Sequence, residues 1–92
     1  MRKTFRTKLS KDDFGRAVEF GASYETIHGK IYPKRLLEKM GVVEVWLKVT
    51  DLNRYLYRNL FPIVSYGFER FFKIEFHTLE DLNLWLAGKI IL

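Results

Sequence analysis

The stretch Val42-Val43-Glu44-Val45-Trp46-Leu47-Lys48-Val49 decides the fold class. Val43, Val45, Leu47 and Val49 fall on one face, and Glu44, Trp46 and Lys48 on the other. Such alternation marks a half-buried strand, because successive side chains in a strand point to opposite faces. Arg70–Phe76 repeats the pattern, with Phe72, Ile74 and Phe76 directed to the core and Phe71, Lys73 and Glu75 away from it. Ile63–Phe68 precedes it and reads as its hairpin partner, turning near Glu69.

Helices surround these strands. Thr50-Asp51 opens a helix that ends before Pro62, with Leu52, Tyr55, Leu56 and Leu60 expected inward. Thr78 with Asp81 three residues on is a capping pattern, followed by an inward stripe of Leu79, Leu82, Trp85 and Leu86 up to Gly88. Ser10 with Asp13 repeats that signal, with Phe14, Ala17 and Val18 on one face and Gly21 as the stop. Pro33 suits a first helical position and predicts a helix that buries Leu36, Leu37 and Met40 and stops at Gly41. Lys3–Leu9, Tyr24–Ile27, Lys30–Tyr32 and Lys89–Leu92 read as further strands, with a tight turn at His28-Gly29.

The expected class is α+β, one domain over residues 1–92, with an antiparallel sheet and helices on one face. Residues 42–92 alone give β-α-β-β-α-β, the ferredoxin-like order. The N-terminal part shows a similar order, and Lys8/Lys48, Tyr24/Tyr66 and Gly41/Gly88 fall in comparable places. That is the pattern of a degenerate repeat, though few letters match.

Charge and aromatics are unevenly spread. Residues 1–41 hold ten Lys/Arg against five Asp/Glu, whereas residues 42–92 hold six against six. The second part nevertheless carries ten of the fifteen Phe, Tyr and Trp. A chain this short buries a thin core, so part of that aromatic surface is expected to meet a partner. The absence of cysteine excludes a disulfide framework and a thiol nucleophile. With no signal-like or membrane-length apolar run, the expectation is a cytoplasmic protein with no membrane contact.

Catalytic material is scarce, and no catalytic residue, metal site or cofactor is assigned. His28 reads as a turn residue. His77 stands near Glu75, Glu80 and Asp81, but acidic residues at 80 and 81 also suit the first turn of a helix. The one enzyme class left open is a metal-independent ribonuclease, whose sites leave no tight motif. The expected function is a small non-enzymatic binding protein that contacts nucleic acid or a nucleoprotein assembly. The basic half supplies Arg2, Arg6, Lys8, Lys30, Lys34 and Arg35 for phosphates. The sheet face supplies Trp46, Lys48, Phe71 and Lys73 for unpaired bases. Val45-Trp46-Leu47 resembles the start of the first-strand motif of RNA-recognition-motif domains, and Arg70–Phe76 resembles their third-strand motif. The resemblance implies stacking positions at Trp46 and Phe71. Arg70, Phe72 and Lys73 depart from the pattern, and the chain is not assigned to that family.

The alternative is a stoichiometric protein-binding regulator or inhibitor, of virus or phage type, acting on a larger machine. Its contacts would be Arg54, Tyr57, Arg58 and Leu84, residue types and positions suited to a protein interface. Surplus aromatics and strand edges are also compatible with a homodimer.

Overall fold

The strand at 42–48 is the centre of the sheet, and everything else is arranged by what pairs with it. The computed structural model describes residues 8–89. In chain order the elements are α1 (Lys11–Phe20), β1 (Tyr24–Thr26), β2 (Gly29–Leu37), β3 (Val42–Lys48), α2 (Asp51–Tyr57), β4 (Ile63–Tyr66), β5 (Glu69–Phe76) and α3 (Leu79–Leu86). One 3-10 turn, Glu38–Met40, joins β2 to β3. The sheet is antiparallel throughout, in the order β1-β2-β3-β5-β4. The class is therefore α+β, as the alternation of residues 42–49 requires. Among the described residues no helix is long and apolar enough to cross a membrane.

The register sets two faces. Val43 lies opposite Phe76, Val45 opposite Ile74 and Leu47 opposite Phe72, and all six are buried. Leu9, Phe14, Ile31, Leu79, Leu82, Trp85 and Leu86 complete the cluster, with Tyr57 packed against it. All three helices thus feed one face of the sheet. Burial of these side chains is the main stabilising term, at roughly 1.5–3 kcal/mol for each large aliphatic or aromatic group.

Local signals hold where capping chemistry decides them. The Ser10 hydroxyl accepts from Asp13 N at 3.0 Å and the Thr78 hydroxyl from Asp81 N at 3.1 Å, each satisfying an orphan donor of its helix. Gly21 closes α1 with φ +67, a left-handed conformation that costs glycine little. Asn83 reaches from α3 to the chain before α1. Its Oδ1 accepts from Leu9 N at 2.7 Å and its Nδ2 donates to Leu9 O at 3.0 Å.

Several expectations are corrected. Residues 33–37 form a strand, not a helix. The three- and four-residue spacing of Leu36, Leu37 and Met40 is too short to outweigh pairing with β3, which is the stronger β segment. Pro33 is tolerated because β1 pairs only as far as Ile31, which leaves β2 an edge at that point, and the register shifts between Pro33 and Arg35. Lys8 and Leu9 are not in a strand; Leu9 is instead a core residue tied to Asn83. The remainder of the expected first strand lies outside the described residues. The first hairpin turns at Ile27-His28 and the second at Gly67-Phe68, each slightly displaced from its expected place.

The ferredoxin-like reading is half right. β3, α2, β4, β5 and α3 follow that order, and the strands lie β3-β5-β4 as it demands. The place beside β3 reserved for the last strand is taken by β2. Lys89 is not in a strand, and 90–92 lie outside the described residues. Both parts of the chain run helix then hairpin, α1-β1-β2 and α2-β4-β5, with Tyr24 and Tyr66 on the two edge strands, while residues 33–37 are extended rather than helical.

Candidate binding surfaces

Two surfaces stand out, and their positions follow from how α2 is turned. The Thr50 hydroxyl accepts from Asn53 N at 3.1 Å, while Asn53 Oδ1 accepts from Thr50 N at 2.8 Å, a reciprocal capping box. Asn53 is buried and its Nδ2 donates to the Lys48 carbonyl at 2.8 Å and the His28 carbonyl at 3.4 Å. One turn later Tyr57 points the same way and packs on Phe61, Phe72 and Trp85. A polar residue therefore fixes the phase of the helix. Leu52, Tyr55 and Leu56, expected inward, are turned out with exposures of 75%, 80% and 61%. Leu60, in the following turn, and Ile63, at the start of β4, are exposed as well.

Of the four residues expected to contact protein, Arg54 and Arg58 flank this apolar stripe. Arg54 lies 3.6 Å from Asp51, and the Arg58 guanidinium sits 5.8 Å from the Tyr55 ring centroid. Tyr57 is half-buried in the core rather than outward. Leu84 is half-buried on α3.

The second surface is the open face of the sheet. Tyr32 pairs with Trp46, Trp46 with Lys73 and Lys48 with Phe71. Phe71 is on this face, as expected, but is only 4% exposed, with Tyr32 edge-on at 5.3 Å and Trp46 tilted at 5.5 Å. Trp46 is half-buried. Its Nε1 donates to Glu44 Oε2 at 2.8 Å, and Glu44 Oε1 accepts from Arg35 at 2.8 Å. Burial of Glu44 pushes its pKa up, but the hydrogen bonds from Trp46 and Arg35 and the nearby Lys73 charge outweigh that and hold it below the usual value. Above the aromatics is a hollow of about 350 Å³ lined by Tyr32, Lys34, Trp46, Tyr66, Glu69 and Phe71, with Gly21 joining from the end of α1.

The cations of this face are mostly neutralised. Lys30 lies 3.7 Å from Glu25, Lys48 3.0 Å from Glu69, and Lys73 3.9 Å from Glu75. Arg35 is held by Glu44. Lys34 instead places its Nζ 4.5 Å from the Trp46 ring centroid. Lys8 is exposed at the start of the described chain. Arg2 and Arg6 lie outside the described residues; with Lys3 they carry three of the five net positive charges.

Neither Glu44 nor Tyr66 is anticipated by the sequence reading. Glu44 looks like an ordinary outward strand residue, and only the register that brings Arg35 and Lys73 beside it shows its role. Tyr66 sits in a hairpin whose edge position is fixed by pairing far along the chain.

His28 is a structural clamp. Its ring stacks on Trp85 at 3.8 Å with planes 7° apart, Nε2 lies 2.6 Å from the Trp85 carbonyl, and the Tyr57 hydroxyl lies 3.3 Å from Nδ1. This arrangement fits neutral imidazole, with Nε2–H donating to the carbonyl and Nδ1 accepting from Tyr57. Burial lowers its pKa from the ordinary 6.5, against the opposing pull of the Trp85 carbonyl. A lowered folded value means that stability present above 6.5 is lost as pH falls toward the folded value. Urea midpoints measured between about pH 7 and about pH 5 are therefore expected to fall for the native chain. The His28→Gln variant, although less stable, should show a flatter profile across that window. His77 is exposed at the end of β5, and among the described residues no group of three His, Asp or Glu converges as a metal site. Comparison of the chain with protein-family models, curated proteins and solved structures finds no match.

Proposed function

We propose that this chain is a non-catalytic binding protein that docks, stoichiometrically, onto a larger protein through the outer face of α2 and the segment leading into β4. One observation carries the reading: a helix whose buried side is Asn53 and Tyr57 while Leu52, Tyr55 and Leu56 face solvent. Monomeric proteins seldom leave such an apolar stripe uncovered. Residues at i, i+3 and i+4 are the anchors of helix-in-groove recognition. Arg54 and Arg58 beside them favour a groove edged by carboxylates, since a partner's acidic groups can be met without burying an unpaired charge. The test is capture by tagged protein after nuclease treatment. A partner held by the native chain and by Trp46→Ala but released by Leu56→Glu supports the reading. Self-association of the purified chain that Leu56→Glu abolishes would assign the face to a second copy instead.

A second reading, contact with nucleic acid through the open face, is favoured by the Lys34–Trp46 hollow. It is supported less by charge, because Lys30, Arg35, Lys48 and Lys73 already lie beside carboxylates.

A further inference from the structure

We propose that the hollow on the open face is a binding site for one nucleotide, with Trp46 as the stacking surface for its base and Lys34 as the partner of its phosphate. The inference rests on the second reading above and narrows it from a stacking platform to a single slot.

The indole is held in place before any ligand arrives. Its N–H is anchored by Glu44, whose side chain is only 8% exposed and is itself held by Arg35. A buried carboxylate costs several kcal/mol unless well paired, so this network is an expensive way to hold an ordinary surface tryptophan. It makes sense as preorganisation, since a fixed ring loses little entropy on binding.

The floor is Phe71, buried like Glu44 on the side of the sheet away from the helices, with Tyr32 edge-on to it. Aromatic walls with a few polar groups at the margin are the usual make-up of a ligand site, and the volume is at the small end of the range such sites occupy. That size suits one nucleotide rather than a run of stacked bases. Because Phe71 is covered, stacking falls to Trp46, and exposed Tyr66 at the margin of the hollow offers a second ring and a hydroxyl.

Lys34 supplies the charge. Among the described cations of this face it rests on an aromatic ring rather than beside a carboxylate. A base sliding onto the indole displaces the ammonium from the ring, and the phosphate on the same nucleotide's ribose gives it a stronger partner. The ligand is a free nucleotide or one unpaired residue of a single strand, which share this chemistry.

Fluorescence tests this directly. The chain has two tryptophans, and Trp85 is buried on the inner side of α3, so ligand-dependent quenching that disappears in Trp46→Phe reports the hollow. Titrants are uridine and adenosine monophosphates, ribose 5-phosphate and a short oligouridylate. Saturable quenching is expected from the base-bearing ligands and not from ribose 5-phosphate, with affinity reduced about tenfold in Lys34→Ala. Equal affinity for monomer and oligomer would identify a free nucleotide as the ligand. Binding of the oligomer at least tenfold tighter and weakened by salt would identify single-stranded nucleic acid. No saturable quenching, or quenching unchanged in Lys34→Ala, overturns the site. Oligomer retention on a filter without any change in Trp46 emission would leave nucleic-acid contact standing but place it elsewhere, and so also overturns this site.

Discussion

Replacing Leu52 and Leu56 together by Glu is expected to abolish partner capture while leaving the fold intact. Both side chains are mostly exposed, so little core packing is lost, and the capping box of Thr50 and Asn53 is untouched. Each leucine buried at an interface contributes roughly 1.5–3 kcal/mol. Losing two, and placing carboxylates against an acidic-edged groove, should weaken binding by a factor of a hundred or more. Thermal unfolding should shift little, because substitutions at exposed positions usually change stability by less than about 0.5 kcal/mol. Parallel measurement of capture and of the melting curve checks this. A large loss of stability would mean that the stripe is part of the core after all.

Trp85→Ala is expected to cost about 3–5 kcal/mol, the largest stability effect of any single substitution considered. Trp85 is 1% exposed, and it supports His28 on one side and Phe76 on another. Its removal leaves a cavity and frees the clamp that joins the β1–β2 turn to α2 and α3. A small domain has only about 5–15 kcal/mol in total, so the variant should be largely unfolded under mild heating or low urea. Trp85→Phe, which keeps an aromatic ring for His28 to stack on, should lose much less. Equilibrium urea unfolding with near-ultraviolet circular dichroism separates the two. Near-native stability of the alanine variant would show that the His28–Trp85–Tyr57 cluster is not what ties the helices to the turn.

Local chemistry makes part of this structure legible in the amino-acid order alone. The caps at Ser10 and Thr78, the stop at Gly21 and the inward stripe of α3 depend on neighbours within a few residues. The alternation of 42–48 and 70–76 is equally local, and it correctly divides Trp46 from Val45 and Phe71 from Phe72. Failure comes where distant partners decide. Residues 33–37 become a strand because β3 offers a full row of backbone partners, which no count of Leu36, Leu37 and Met40 reveals. The phase of α2 is hidden from the sequence for a related reason. Apolar content alone directs Leu52 and Leu56 inward, yet Asn53 binds the carbonyls of His28 and Lys48 and outweighs them. The apolar stripe of α2 is therefore indistinguishable from core by sequence alone.

The open face was half legible. Period places Trp46 and Lys73 there, but the pairing of Lys30 with Glu25 and of Lys48 with Glu69 depends on register between strands. Three of the five net positive charges belong to Arg2, Lys3 and Arg6, which lie outside the described residues.

Photo-activated carbene footprinting of the free and partner-bound protein tests the central claim most directly. Protection upon binding is predicted at Leu52, Tyr55 and Leu56, with Tyr32 and Trp46 labelled as in the free chain. Unchanged labelling along α2, with protection confined to the hollow around Trp46 and Tyr66, would contradict it.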